Sequence, residues 1–391
     1  MVWEVKKLGD VCEIVKDKPP LFNGEKKYYT TKAINNSGKY SPVQVTYSNR
    51  PGRANLFPSI NDVGFASMKG TNKVFLVNEE LSGSIFSTGF AILRPRSQIL
   101  PKYLFILIQS DLFQRIKDNF AGKGIMGGIK KTDIPKIGIP VPPLPIQKKI
   151  VKILDEAFEK LSKAKENAKT NLNNSKEVFE SHLQSVFENK GEDWEENKLE
   201  EICTKITDGV HKKPNYVSEG IPFIKINNLT AGPGISFENV SYISKEDHEL
   251  FCKRTKPERG DILITKDGTI GIVKVVDTDI EFSIFVSVAL IKPLSKDITK
   301  YLKYVLISPI IQNQIKPKGA ALKHLYLKDL RKYIIPMPPI KKQKQIVKKL
   351  DNLSTETKKL EQIYNQKLGD LEELKKSILQ KAFNGELTKG N

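Results

Sequence analysis

The segment from Ile139 to Asp155, Ile-Pro-Val-Pro-Pro-Leu-Pro-Ile-Gln-Lys-Lys-Ile-Val-Lys-Ile-Leu-Asp, returns from Ile335 to Asp351 with 11 of 17 positions identical at an offset of 196. A repeat of this kind outranks any short motif, because each copy must be one structural unit built on a shared frame. The offset holds without a gap to Leu183, Gln184 and Phe187, which match Leu379, Gln380 and Phe383. A second echo marks the start of each half: Trp3-Glu4, Lys7-Leu8 and Val11-Cys12 match Trp194-Glu195, Lys198-Leu199 and Ile202-Cys203. A third lies between, where Ala91 to Pro95 parallels Ala289 to Pro293 and Lys102-Tyr103-Leu104 parallels Lys300-Tyr301-Leu302. Roughly 20–90 and 205–285, in contrast, show almost no internal match. The frame is repeated while the middle of each copy is not. Two equivalent modules that recognise two different things would have this pattern.

Pro140, Pro142, Pro143 and Pro145, and Pro336, Pro338 and Pro339, force extended backbone and end each globular part. From Ile150 the apolar residues fall at 150, 154, 157, 161, 164, 168, 172, 179, 183 and 186, and from Ile346 at 346, 350, 353, 360, 364, 368, 371, 374 and 378. Steps of three and four over such a length predict a coiled-coil-like stripe. Each helix would be about 40 residues, or roughly 60 Å long. Packing one on the other is the economical way to bury both stripes. A pseudo-twofold tandem repeat then makes the helices antiparallel and sends the globular parts to opposite ends. The competing arrangement packs each helix on its own domain. The runs Asp261–Thr265, Ile272–Val276 and Ser287–Ile291 are predicted strands. Lys102–Asn119 and Lys300–Ile315 are predicted amphipathic helices, the second kinked at Pro309. The expected class is α+β, divided as a first domain over 1–145, a long helix over 146–190, a second domain over 191–342, and a second long helix with a tail over 343–391.

Composition narrows the partners. The 391 residues hold 64 Lys and Arg against 45 Asp and Glu, a net charge of +19. Residues 1–145 alone carry 21 basic and 11 acidic side chains. Excess positive charge in globular segments points to nucleic acid through counterion release, although a lysine-rich proteome also makes basic proteins. No apolar run reaches signal-peptide or membrane-span length. Three widely spaced cysteines, Cys12, Cys203 and Cys252, argue against a disulfide framework or zinc site and suit a cytoplasmic location.

Together these features resemble the specificity subunits of type I restriction-modification systems, over essentially the whole chain. The most specific parts are the Pro-Pro-Leu-Pro and Pro-Pro-Ile entries to the long helices and the spacing of the halves. Thr207-Asp-Gly-Val-His211, Gly220-Ile-Pro-Phe-Ile-Lys225 and Gly260-Asp-Ile-Leu-Ile-Thr-Lys-Asp-Gly-Thr-Ile-Gly271 look like that family's target-recognition domain, as do Ser87-Thr-Gly-Phe90 and Leu93-Arg-Pro95. The family often has Glu-Gln at the long-helix start, where this chain has Ile146-Gln147 and Lys342-Gln343. The acidic residue would favour the helix N-terminus. By resemblance, each globular part recognises one half of a bipartite, asymmetric site in double-stranded DNA. The helices set the gap between half-sites and dock methylation subunits, two of them, which recruit restriction subunits. S-adenosylmethionine and ATP would bind those partners, leaving this chain without cofactor, metal or catalytic residue.

Base recognition needs donors and acceptors on loops that reach a groove, and phosphate contacts need Lys, Arg or backbone N–H groups. In the first domain the candidates are Lys26, Lys27, Tyr28, Arg50, Arg53, Lys69, Lys73, Lys123, Lys130 and Lys131. In the second they are His211, Lys212, Lys213, Lys225, Asn227, Lys266, Lys318, Lys323 and His324. Taken one at a time, a lysine is ordinarily a solvated surface charge, so the loop clusters carry the argument as groups. Arg50 and Arg53 are the sharpest, because a guanidinium fork matches guanine edges or phosphate. Tyr28 and Tyr29 would stack on a base or pack in the core.

Gly122-x-Gly124-x-x-Gly127 imitates a dinucleotide fingerprint, but it follows a polar helix end and lacks a βαβ frame. Cys12 and Cys203 sit at matching positions and are expected to pack, not to react. Histidines and cysteines never cluster at metal spacing. Two other functions compete. A stand-alone DNA-modifying enzyme would need a methyltransferase, nucleotide-binding or nuclease motif, and none is found. A structural coiled-coil adaptor explains the helices but not two divergent basic domains.

Overall fold

The proline runs act as their fixed φ requires. In this computed structural model, which describes residues 3–35, 40–121, 127–316 and 324–388, the strands Gly138–Pro140 and Ile334–Met337 lead into them, and helices Leu144–Glu188 and Ile340–Phe383 follow. These helices run 45 and 44 residues without interruption. Each closing strand pairs antiparallel with the strand that opens its half: Val5–Lys7 with Gly138–Pro140, and Glu195–Lys198 with Ile334–Met337. The ends of each globular part are thereby stitched together where the helix departs.

The chain folds as two compact units. The first holds 1–169 together with 365–391, and the second holds 170–364. Within each unit, the start of one long helix packs beside the end of the other. In the first unit Ile150 and Leu154 share a core with Leu379, Ala382 and Phe383. Farther along, Lys165 pairs with Glu372, and the Lys375 ammonium lies 5.3 Å above the Phe158 ring. In the second unit Leu183 and Phe187 share a core with Ile346 and Leu350. The helices therefore run antiparallel in both, as the repeat implied.

The residues that gave the repeat away touch one another. Tyr103 donates its hydroxyl to the Pro140 carbonyl at 2.9 Å, and Tyr301 donates to Pro336 at 2.5 Å. Lys102 meets Asp155 at 2.7 Å, and Lys300 meets Asp351 at 3.0 Å. Gln147, buried at the helix start, donates to the carbonyls of Pro142 and Gln98 and accepts from the Leu100 N–H. Gln343 donates to Pro338 in the same way. These buried bonds satisfy carbonyls that a proline run cannot pair within a helix or sheet, each contributing about 1 kcal/mol net.

The expected stripe is partly wrong. Leu360 and Leu374, placed on it, are 42% and 48% exposed. A pair of helices buries only a narrow seam, and short residues take part of it. Ala168, Ser175 and Thr357 are buried, with Ser175 and Thr357 turning their hydroxyls back to the carbonyls of Asn171 and Leu353. The helices expected over Lys102–Asn119 and Lys300–Ile315 each break in two, into Pro101–Gln109 and Asp111–Phe120, and into Thr299–Ile307 and Pro309–Gln312. Pro309 is not the cause, since the first unit breaks at the same point with Asp111 in its place. Ser110 and Ser308 are extended at the breaks and return their hydroxyls to the carbonyls of Leu107 and Val305. A serine oxygen competing for backbone partners ends the helix in both halves.

Each unit carries two four-stranded sheets. One is antiparallel and equivalent in both: Cys12–Ile14, Phe90–Pro95, Val63–Ala66, Val74–Leu76, and Cys203–Asp208, Val288–Pro293, Ile262–Thr265, Val273–Val275. The three strands expected in the second half are all present in it. The other sheet shares three strands: a parallel pair, Lys26–Tyr29 beside Ile85–Ser87 and Ile221–Ile224 beside Ser283–Ile284, and an antiparallel strand on the first member of each pair, Val43–Val45 and Ser241–Ile243. The fourth strand differs: Ala54–Leu56 lies beside Ile85–Ser87 in the first unit, whereas Tyr216–Val217 lies beyond Ser241–Ile243, on the opposite side, in the second. The segments without internal match thus build the sheet that differs.

Burial pushes the thiols of Cys12 and Cys203 up to about 12. At pH 8 both stay protonated, with a thiolate fraction of about one in ten thousand. Alkylation by iodoacetamide, followed by mass spectrometry, is expected to be negligible at both until the protein is unfolded. Gly64 tests the core: an added Cβ would lie 2.1 Å from Phe75 Cζ, in a ring held against Phe86 at 4.5 Å between centroids. Gly64→Ala is expected to destabilise the first unit by about 1–3 kcal/mol through overpacking, measured by denaturant titration.

Candidate nucleic-acid interface

In the second unit, Cys203–Asp208 and Ile262–Thr265 end, and Val288–Pro293 begins, on the same edge of the antiparallel sheet. The loops leaving that edge carry most of the described candidates. Asp208 is their hub. It is only 5% exposed, and its carboxylate takes Arg254 Nη2 at 2.5 Å, Lys266 Nζ at 3.3 Å and His211 Nε2 at 3.3 Å. Asp267, next to Lys266, accepts from His324 Nδ1 at 2.6 Å. His211, Lys266 and His324, far apart in sequence, are thus joined through two carboxylates. A buried carboxylate is tolerable only with such partners. Arg254 and Lys266 offset the two carboxylates, and the exposed Lys212 and Lys213 leave the edge positive. The backbone here demands glycine: a Cβ on Gly209 would fall 2.1 Å from the Ile284 carbonyl oxygen and 2.4 Å from that of Phe285. This close approach lets Val210 bridge to Phe285 and turns His211, Lys212 and Lys213 outward, where all three are exposed.

Lys225 is held back from solvent. Its ammonium bonds Ser241 Oγ at 3.1 Å and lies 4.6 Å over the Tyr216 ring. Asn227 is exposed on the short helix Ile226–Thr230, whose start is fixed by Asn228 Oδ1 accepting the Lys225 N–H.

The corresponding edge of the first unit gathers Arg53, Lys69, Lys73 and Lys130. Ser67 N–H bonds the Gly89 carbonyl, Lys69 N–H the Gly127 carbonyl, and Ile129 N–H the Ser67 carbonyl. Lys73 donates to the Thr31 carbonyl at 2.7 Å, and the Arg53 carbonyl takes Thr88 N–H. Arg53, Lys69, Lys130 and Lys131 are exposed. Met68 bridges to Gly128 much as Asp267 bridges to His324.

Lys26 and Arg50 belong to a separate patch. Arg50 stacks on Tyr47 at 3.9 Å, Tyr47 meets Phe22 edge-on at 5.5 Å, and Lys26 lies 5.5 Å over Phe22 while donating to the Gly83 carbonyl. Lys27 is exposed on the strand between them. Tyr28 turns inward, packed with Val45, Ala54 and Ile85, so it offers no face to a ligand. Lys123, Lys318, Lys323 and the glycine run from Gly122 lie outside the described residues, apart from Gly127.

Arg254, Phe22 and Tyr47 were missed from sequence. Arg254 stands 46 residues from Asp208 and no spacing links them; Phe22 and Tyr47 were legible only as aromatics near basic residues. The Arg254 side chain is 55% exposed, so a fork anchored on Asp208 still presents N–H groups outward. Among the described residues no His, Cys, Asp and Glu group is arranged to hold a metal, and no helix is long and apolar enough to cross a membrane.

A family model for the type I restriction modification DNA specificity domain matches twice, over residues 2–172 and 191–368. The specificity subunit of the type I restriction enzyme EcoBI from Escherichia coli is 34% identical over 203 residues, half of this chain and 42% of that protein's length. The MjaVIII specificity subunit of Methanocaldococcus jannaschii is 27% identical over 425 residues, covering 98% of this chain and 93% of that one. In fold, the chain superposes on one from a structure of type I R-M complex assembly and conformational transition with a TM-score of 0.84, at 24% identity and 98% coverage of both. It also superposes on the HsdS subunit of Thermoanaerobacter tengcongensis at 0.60 and 24% identity. With both of its halves matched in turn, each built on the same stitched frame, the chain belongs to the type I restriction-modification DNA specificity family.

Proposed function

We propose that each unit recognises one half of a bipartite, asymmetric DNA target through the loops at its sheet edge, with the long helices setting the distance between half-sites. The observation that carries this reading is the combination of one repeated frame with two dissimilar basic edges. A frame that repeats holds two loop sets equivalently, and loop sets that differ select different bases. The helices also dock methylation subunits, two by the logic of the repeat, and through them restriction subunits. S-adenosylmethionine and ATP bind those partners, and this chain contributes recognition without catalysis, in the cytoplasm where the DNA is.

Arg254 and Lys266, anchored on Asp208, suit base edges or phosphates whose position must be fixed, since an anchored fork loses little freedom on binding. Lys212 and Lys213, exposed on a loop, suit phosphates.

In the complex with its methylation subunits, exchanging residues 20–90 for the same segment of another family member is expected to change one half of the methylated sequence and leave the other intact. Mapping methylated adenines checks this, and an unchanged site sinks the proposal. Lys212→Gln and Lys213→Gln are expected to weaken binding to all DNA and to lower the slope of log affinity against log salt by about one each. Arg254→Gln is expected instead to cost about 1–3 kcal/mol of discrimination at one half-site, measured by competition binding with substituted duplexes.

A further inference from the structure

Lys117, on helix Asp111–Phe120, is completely buried. Its ammonium donates to the carbonyls of Thr71 at 2.7 Å and Met68 at 3.1 Å, and lies 3.3 Å from Asp118 Oδ1. Both hydrogen bonds go to the loop backbone, and the neighbouring carboxylate offsets the charge. Asp118 in turn accepts the Gly70 N–H with both oxygens, at 3.1 and 3.2 Å. Gly70 has φ +70°, the left-handed region that leaves its N–H free to turn toward the helix. Asn72 Nδ2 adds a bond to the Gln109 carbonyl at 3.0 Å. The loop from Met68 to Asn72 is therefore tied to the helices at four of its residues, and Lys69 projects from it, exposed.

Desolvation pushes the Lys117 ammonium below the usual lysine range, with Asp118 opposing that shift. A buried ammonium is an expensive way to fill a helix face, and an apolar side chain ordinarily does it better. The second unit shows as much. Ser110 and Gln114 match Ser308 and Gln312, which make the same bonds to backbone carbonyls. By that register Lys117 corresponds to Ile315 and Asp118 to Lys316. There the isoleucine lies just beyond the end of Pro309–Gln312, half-buried against the core of its unit. The equivalent loop is held there by other means: Asp267 with His324, and Gln312 Nε2 donating to the Gly271 carbonyl at 3.2 Å.

We propose that Lys117 and Asp118 are positioning residues for target recognition by the first unit: they latch the Met68–Asn72 loop so that Lys69 is presented to DNA in one fixed place. The inference rests on the reading of the sheet-edge loops as DNA contacts. The second unit fills this place without either residue; in the first, both hold the loop. Asp118 also faces the Lys117 ammonium, but it is the bond from the Gly70 N–H that ties the loop, so asparagine can replace it in the latch and alanine cannot.

The test uses the complex with methylation subunits, comparing Lys117→Met, Asp118→Asn, Asp118→Ala and Lys69→Gln. Hydrogen exchange is followed over 63–72, and methylation rates are measured on the cognate duplex and on duplexes substituted in one half-site at a time. Lys117→Met and Asp118→Ala are expected to speed exchange at 68–72 while strand 63–66 stays protected. They are also expected to lower discrimination about tenfold in one half-site and leave the other unchanged; Asp118→Asn retains both properties. Loss of discrimination in both halves together would mark a merely structural role and overturn the latch. If Lys69→Gln lowers discrimination and Lys117→Met does not, the latch is wrong and the loop reading stands. If neither changes it, the loop does not contact DNA, and both fall.

Discussion

A tyrosine hydroxyl on a proline carbonyl holds each half of this protein in order. Pro140 and Pro336 lie in two-stranded sheets with no third strand to take their outward carbonyls, and the carbonyls of Pro142 and Pro338 lie ahead of the first helical turn. Tyr103 and Tyr301 take the carbonyls of Pro140 and Pro336, and Gln147 and Gln343 take those of Pro142 and Pro338. The same tyrosines press on Phe383 and Phe187, at 5.7 and 5.9 Å between ring centroids. One side chain thus fixes where a helix leaves its globular part and where the other helix ends against it. The antiparallel sheet, the stitched strand pair and the helix ends are all referred to this joint.

From a frame so fixed, the recognition edges can diverge. The two units answer the same demand, a loop held close to the end of a strand, with unrelated chemistry. In one, a buried lysine and an aspartate bind backbone groups; in the other, aspartates bind histidine, lysine and arginine side chains. Buried polar groups are tolerated when every partner is present. That rule limits how such an edge can change: the hub and its partners must alter together, while an exposed lysine such as Lys212 can change alone.

The frame was legible because it is local or repeated. Proline runs state their backbone conformation, the helical spacing states a buried stripe, and strands such as Ile262–Thr265 declare themselves as short apolar runs between turns. What failed was mostly long-range. The break at Ser110 is the local exception: it depends on a hydroxyl finding the Leu107 carbonyl, three residues back, instead of water. Leu360 fits the stripe by spacing, yet the paired helices leave it outside the seam. Of the candidate contacts, His211, Lys266 and His324 do converge, whereas Tyr28 belongs to the core and Lys26 to a separate aromatic patch. Arg254 was invisible because its meaning comes from Asp208, and only the folded chain brings them together. Lys117 looked like one more solvated charge on a polar helix.

The composition of the units bears on how the molecule is made. The second unit is a continuous stretch, 170–364, whereas the first needs 365–391 added to residues from the beginning of the chain. Phe383 and Leu379, at the far end of the second long helix, complete the core that Tyr103 and Ile150 start. On the ribosome, the part translated first is therefore finished last. Its apolar surface waits, uncovered, for the entire central unit to emerge, and a message cut short leaves the early half without its closing helix.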